Sequence, residues 1–526
     1  MTLKLYYASD DFHKTDDPIG ILWMIKKTKI TPALPIYSSS CISTRRQQII
    51  QDGFEHKIYP EQNRPEPTIS AHLQFHLRHE IIHFEFLARL FRNIDGHVIQ
   101  DWIDSEPTGQ YARRCAFLYE FFTDKLLTVP PSIGGNYVDV LDSTKLVTTS
   151  KERSEKDKRW RVNNNIAGNK YFAPMLVKTD LFQSASNLDI SHMIHQLTDE
   201  FGEELLTRAS VWITLGESKA SFAIEGETSQ VKRIERFADF MARNIGKSET
   251  PFSPETLADY QQALLGDSLL THFGVRKSPV FIGESRMGYK QIVHYIAPPY
   301  RQVGNMLNGL NAFMHSTQGQ SSIMRSAVIA FGLVYIHPLA DGNGRLHRFL
   351  FNDILRRDGI TTDPIIIPIS KAIIDNSSSK KEYSEILETI SNPLMQSLKA
   401  SYYFSSDRTK YEDGVSSNLV IENSEEADPV WRFMDLTAHV HYLSKLVEHV
   451  IQHHMYSEST YLQQHDKARE AIKEFIEMPN DYADRIIRSF QKNKGQKSNK
   501  LVKEIPKLAE GDFYDRILEV LRGIFN

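Results

Sequence analysis

The sequence predicts a mainly α-helical fold, and three observations carry that prediction. From Ile190 onward apolar residues recur at three- and four-residue steps, through Leu206 and then over 237–242, 257–265 and 306–313. Two more such runs, Ser322 to Tyr335 and Leu346 to Arg356, flank the stretch His337-Pro338-Leu339-Ala340-Asp341-Gly342-Asn343-Gly344-Arg345-Leu346-His347-Arg348. The one interruption is a pair of β-prone segments, 279–283 and 291–296, joined by the turn-prone 284–288, which predicts a hairpin set among helices.

Bulk composition bounds the rest. At roughly 150 residues per domain, 526 residues predict two to four domains with ample core. Hydrophobic content of 41% with 24% charged residues is that of a globular protein, and a formal charge of −4 gives no global attraction to nucleic acid or anionic membrane. Cys41 and Cys115 stand far apart and in no metal-like spacing, which argues against a disulfide scaffold or a structural zinc site. No signal-peptide pattern opens the chain and no apolar run approaches 18 residues, so the expectation is a cytoplasmic protein.

In chain order, a mixed, mostly helical domain is expected over 1–190. Residues 1 to about 70 look irregular, with turn-rich patches at Tyr37 to Ser40 and Pro65 to Pro67. Leu73, Leu77, Ile81, Phe84, Ala88 and Phe91 predict one helix from Ala71 to Arg92. His72, His76, His79 and His83 run beside that stripe and read as a half-exposed face rather than a metal ladder, because no recognisable ligand spacing accompanies them. A second helix is expected over 109–126, and the charged run Lys151 to Arg159, with alternating signs, as a surface loop.

A helical domain is expected over 191–404, with Tyr383, Ile386, Leu387 and Ile390 on its last helix. The polar, acidic 405–428 reads as a linker to a helical C-terminal domain over 429–526. There His449 and His453 stand one turn apart without the HExxH pattern of a zinc site, and read as surface residues. From Arg485 to Lys507 the chain carries Arg485, Arg488, Lys492, Lys494, Lys497, Lys500, Lys503 and Lys507 against one acid, Glu504. This is a local basic patch suited to nucleic acid or an acidic partner, or simply a solvated face.

The chemistry is concentrated in 337–348. Gly342, Asn343 and Gly344 let backbone N–H groups converge on phosphate oxygens at a helix N-terminus. Arg345 and Arg348, three apart on the first turn, offer guanidinium forks, and Asp341 offers a carboxylate for Mg²⁺ bridging phosphates. Phosphate binding alone does not require His337, whose ordinary pKa of about 6.5 suits a general base acting on an incoming hydroxyl. A nucleotide with magnesium, attacked at phosphorus, accounts for the whole stretch.

These residues resemble the signature of the Fic family, His-Pro-Phe-x-Asp/Glu-Gly-Asn-Gly-Arg-x-x-Arg, with Leu339 where phenylalanine is usual. The resemblance implies a helical core with a β-hairpin flap, here Val280, Phe281, Ile282 and Gly283 leading into 291–296, that aligns a target segment by strand addition. It implies transfer of AMP from ATP to a Ser, Thr or Tyr hydroxyl of a target protein or of the chain itself. By that analogy His337 is the base, Asp341 binds Mg²⁺, and Gly342, Asn343 and Gly344 form the anion hole. Arg345 and Arg348 hold the outer phosphates, Tyr383 lies near the adenine, and Leu346 and His347 complete the nucleotide-binding stretch.

Ser221-Phe222-Ala223-Ile224-Glu225-Gly226 resembles the family's inhibitory motif. The resemblance implies that Glu225, four residues after Ser221 and so on the same helical face, pairs with Arg348 and displaces the γ-phosphate, with Gly226 closing the motif. Because this segment precedes the core, the resemblance is to members with an N-terminal inhibitory helix. Three alternatives stay open: transfer of another phosphate-containing group (UMP, phosphocholine or phosphate), removal of AMP, and a nucleotide-sensing regulator whose C-terminal basic helices bind nucleic acid.

Overall fold

A computed structural model describes residues 5–7, 17–44, 46–227, 230–266, 272–286 and 290–525. The first 70 residues, expected to be irregular, form a four-stranded sheet. Its strands are β1 (Pro18–Ile19), β2 (Ser38–Ile42), β3 (Gln47–Gln51) and β4 (Phe54–Tyr59), in the order β1-β2-β4-β3, with helix α1 (Ile21–Thr28) after β1. Strand β2 runs parallel to β4, Ser38 opposite Glu55, and the other two pairings are antiparallel. The serines that suggested a turn at 37–40 are buried strand residues, with Ser38 Oγ accepting from Ile81 N at 2.7 Å.

The single helix expected over 71–92 is two, α2 (Ile69–His79) and α3 (Phe84–Asn93). The break has a chemical cause. Glu80 accepts from the Ile21 N–H at 2.9 Å and pairs with His76 Nδ1 at 2.8 Å, while His83 Nδ1 caps α3 by accepting from Phe86 N at 3.0 Å. The histidine face is therefore core rather than half-exposed: His72, His76 and His83 are buried, and His72 stacks on Trp23 with ring centroids 3.8 Å apart. Helices α4 (His97–Ser105) and α5 (Gln110–Thr123) complete this core. The charged run 151–159 includes β6 (Glu155–Asp157), which joins β5 (Val138–Asp139) and β7 (Val162–Asn164) in a small sheet of order β5-β7-β6.

From there the chain is helical: α6 (Asp180–Ser186), α7 (Ile190–Phe201), α8 (Glu203–Ile224), α9 (Val231–Asn244) and α10 (Pro254–Leu265) lead to the hairpin β8 (Phe281–Arg286) and β9 (Lys290–Ile296). The expected turn residues Met287 and Gly288 lie outside the described residues. Helices α11 (Tyr300–Ser316), α12 (Ser322–Ile336), α13 (Asn343–Arg357), α14 (Ile369–Ile374) and α15 (Ser377–Ser397) follow. Helices α12 and α13 bracket the motif and form the buried centre of the domain.

The segment 405–428 is not a linker. It forms most of a second hairpin, β10 (Tyr402–Lys410) with β11 (Ser416–Ile421). Its acids hold the root of the first hairpin: Asp413 accepts from Lys277 N and Ser278 Oγ, both at 2.7 Å, and Phe404 packs edge-on against Phe281 at 5.1 Å. The expected C-terminal boundary moves as well. Helices α16 (Asp428–Arg432) and α17 (Thr437–His449), a π-helical turn over Val450–Met455 and the start of α18 (Tyr456–Phe475) pack into the central core as far as Leu462. A separate small core, Ala468 to Leu521, is built from the end of α18 with α19 (Asn480–Lys492), α20 (Asn499–Glu504) and α21 (Phe513–Phe525). In the basic patch there, Lys497 pairs with Asp515 at 2.6 Å and Arg485 with Glu504 at 3.9 Å. No helix among the described residues is long and apolar enough to cross a membrane.

Candidate functional site

The motif is a loop whose shape is held by three side chains. Helix α12 ends at His337, which adopts φ 51° while its N–H closes on Leu333 O. Asn343, the first residue of α13, clamps the loop bidentately, its Oδ1 accepting from Leu339 N at 3.0 Å and its Nδ2 donating to Leu339 O at 2.7 Å. Gln261 of α10 donates to Asp341 O at 3.0 Å. Arg276, 1% exposed, donates from Nε to His337 O at 2.7 Å and reaches Ser278 O and Pro298 O with its two Nη atoms. One guanidinium thus joins the His337 turn to the root of the hairpin.

His337 donates from Nδ1 to Val334 O at 3.1 Å, an assignment that follows because a carbonyl can only accept. Nε2 is then the unprotonated nitrogen. Burial, reinforced by the Arg276 guanidinium, lowers its pKa to about 4, so the ring is neutral near pH 7 and able to take a proton. Asp341 stands at the outer edge of the loop with its side chain 62% exposed and one oxygen 3.3 Å from Arg345 Nη2.

Opposite the loop stands the end of α8. The helix stops in a Schellman arrangement, Glu227 N bonding Phe222 O at 2.9 Å and Gly226 N bonding Ala223 O at 3.2 Å, which fixes Glu225 as the C-cap residue just after Ile224. Its carboxylate reaches both motif arginines: Oε1 lies 2.5 Å from Arg348 Nη2, and Oε2 lies 3.1 Å from Arg345 Nε. Ser221, one turn earlier, accepts from Arg348 Nε at 2.6 Å. The two guanidinium groups are almost wholly buried, and Arg345 also lies over the Phe222 ring at 4.9 Å. Gly344 is the position that permits this approach, because a Cβ there would come within 2.6 Å of Glu225 Oε1. Arg345 Nε and Nη1 are buried and face the Glu225 and Glu227 carboxylates at 3.1 and 4.0 Å as ion pairs, without hydrogen-bond geometry. An anion seated over Gly342 to Gly344 could satisfy them.

The structure thus gathers His337, Asp341, Gly342, Asn343, Gly344, Arg345, Arg348, Ser221 and Glu225 in one place. Leu346 and His347, expected with them, turn the other way: Leu346 is core, and His347 packs against Phe331 at 4.7 Å on the far side of α13. Residues one and two positions after Arg345 lie about 100° and 200° around an α-helix from it, which accounts for the difference. Tyr383, expected near an adenine, stands beside Arg348 and Glu225, and burial raises the pKa of its hydroxyl. In the hairpin, Val280 O accepts from Ala297 N at 3.0 Å, Ile282 is exposed, and the register shifts between Ile282 and Gly283.

Three contributors escaped the sequence reading. Arg276 and Gln261 act on backbone atoms across long loops, and no local pattern marks either. The signal for Glu217 is its place one turn before Ser221 on α8. It is fully buried on α8, accepts from Ser370 N at 2.8 Å and Ser370 Oγ at 2.5 Å, and burial raises its pKa to about 7.

Residues 251–355 match the Fic/DOC family. The chain carries a Fic domain. It is 30% identical over 128 residues to a protein adenylyltransferase, Fic-1, of Caenorhabditis briggsae, a match spanning 24% of this chain and 23% of that protein. It is 33% identical over 92 residues to the protein adenylyltransferase Fic of Drosophila mojavensis, spanning 17% of this chain and 18% of that one. The chain therefore spans less than a quarter of the length of either relative. A Fic family protein from Desulfovibrio desulfuricans aligns in structure with a TM-score of 0.36 at 16% identity, over 55% of this chain and 78% of that one. The Fic match ends just after the motif and begins after α8, so the Glu225 segment lies outside it.

Proposed function

We propose that this Fic protein transfers AMP from ATP to a hydroxyl side chain of a protein, either a separate target or its own chain, and that Glu225 restrains the reaction. The observation that carries this reading is the single carboxylate of Glu225 bound to two buried guanidinium groups directly over the glycine cradle. Two arginines held this way are suited to polyphosphate, and a carboxylate in their grip competes with it.

In the proposed step the hydroxyl oxygen bonds to the α-phosphorus as the bond from that phosphorus to the β-bridging oxygen breaks. Pyrophosphate leaves, and the hydroxyl proton passes to His337 Nε2. Backbone N–H groups at the start of α13 stabilise the charge on the α-phosphate, and Arg345 and Arg348 hold the departing end once Glu225 withdraws. Exposed Asp341 fits Mg²⁺, which takes one or two carboxylates together with phosphate oxygens; the ion when bound would neutralise phosphate charge. Arg276 holds the His337 carbonyl in place, and the exposed strand of the hairpin, at Ile282, offers backbone to an incoming segment.

The test is to incubate Glu225→Gly and the unsubstituted chain with Mg²⁺ and either α-³²P-ATP or γ-³²P-ATP. Label on protein from the α position only, stronger in Glu225→Gly by on the order of tenfold or more, is the expected result. Label from γ only would indicate phosphotransfer, label from neither would overturn the ATP reading, and equal label with and without Glu225 would overturn the restraint.

A further inference from the structure

Outside the Fic site, a second constellation is built where the long C-terminal helix departs from α-geometry. Residues 437–475 run as one helical rod, but Val450–Met455 is a π-helical turn. In an α-helix, residues five apart point about 140° from one another. A π turn closes its hydrogen bonds over five residues and so brings such a pair onto one face. That pair is His449 and His454. Both Nε2 atoms meet one carboxylate oxygen, Asp375 Oδ2, at 3.1 and 2.8 Å. The sequence pairs His449 with His453, the helical neighbour, and their rings do lie 4.6 Å apart, but His453 is not part of the convergence.

Asp375 comes from a different part of the chain, the joint between α14 and α15, 74 residues before His449. The three donor atoms lie within 4.8 Å of one another. All three residues are at least partly open to solvent, and a 290 Å³ cavity lined by Asp375, Asn376, Glu382, Tyr442 and His449 adjoins them. Two imidazoles with one carboxylate and an open side is a donor set for a first-row transition ion, with water completing the coordination. It is a poor set for Mg²⁺ or Ca²⁺, which take oxygen ligands. The π turn is a second observation, since such insertions are rare and are frequently found at functional sites.

We propose that Asp375, His449 and His454 bind a divalent transition metal ion of the zinc class. On binding, the ion takes the Nε2 lone pairs, each ring's proton passing by way of water from Nε2 to Nδ1 so that both imidazoles stay neutral, and ties the α14–α15 joint to the π turn. This clamp bears on α14, whose Ser370 grips Glu217 of α8, and so on the helix that carries Glu225.

The test uses full-length chain without a polyhistidine tag, stripped with EDTA and desalted, titrated with ZnCl₂ by calorimetry in a non-chelating buffer. One Zn²⁺ per chain with a dissociation constant of about 1 µM or tighter is expected, with millimolar MgCl₂ not competing. Asp375→Ala and His454→Ala should each weaken binding at least tenfold and abolish the Zn²⁺-dependent rise in Tm, whereas His453→Ala should leave both unchanged. Far-UV circular dichroism and Tm in EDTA confirm that the variants fold, and His449→Gln replaces any that does not. Absence of saturable binding below about 100 µM, or binding unaltered in the Asp375 and His454 variants, would overturn the proposal.

Discussion

Two regions of this chain concentrate buried histidines and charged side chains, and they use them for opposite ends. Around α2 and α3 the polar atoms hold the chain itself: His72 Nδ1 accepts from Gly20 N, Glu80 from Ile21 N, and His83 bridges Phe86 N and Pro35 O. Around 337–348 backbone holding falls to Asn343, Arg276 and Gln261, which leaves His337 Nε2 uncommitted and the two motif arginines in the grip of Glu225 rather than of the backbone. What separates His337 from the structural histidines is not burial, which lowers its pKa as it does that of His72. It is whether a neighbouring side chain has taken over the work of fixing the backbone.

That contrast breaks first at His337. In the Glu225→Gly background, His337→Ala should lower label transfer from α-³²P-ATP by on the order of 10³-fold, the scale of a lost general base, with little change in the urea midpoint. Transfer that survives the substitution would remove His337 from the step. Glu80→Ala should do the reverse. It strands the Ile21 N–H and His76 in a dry interior, at a cost of about 3 kcal/mol, or on the order of 10²-fold in the folding equilibrium. The fraction still folded should transfer label as before. A urea midpoint unmoved by Glu80→Ala would show that the N-terminal cluster is not holding its helices.

The same contrast explains what could be read from the sequence. Helix periodicity placed α12 and α13 around the motif, and the hairpin followed from its β-prone halves, because both signals are local. The one-helix reading of 71–92 failed because Glu80 and His83 take backbone partners some fifty residues away in sequence, which no periodicity records. Acidic 405–428 misled for a related reason: Asp413 is spent on Lys277 and Ser278 rather than on water. In the site, the residue types of 337–348 were informative, yet only the helix phase separates Arg345 and Arg348 from Leu346 and His347. The π turn shifts that phase again at 450–455, which is why His454 rather than His453 joins His449.

Acid sharpens the comparison, with a smaller effect. Burial lowers His72 in the N-terminal region to about 4, and His347 and His439 in the central domain to about 4 and 3. Because each folded value lies below the ordinary 6.5, the unfolded chain takes up the proton first. The stability these groups contribute is intact above about pH 6.5 and lost as pH falls toward the folded value, about tenfold in the folding equilibrium per pH unit for each group. Hydrogen exchange followed peptide by peptide from pH 7 to 5 should show protection falling in both α2–α3 and α12–α13. His72→Gln should flatten the fall in the first pair only and His347→Gln in the second only. Protection independent of pH in both would mean that the rings are not held neutral by burial. A fall in both pairs relieved together by either substitution would mean that the two cores open as one unit.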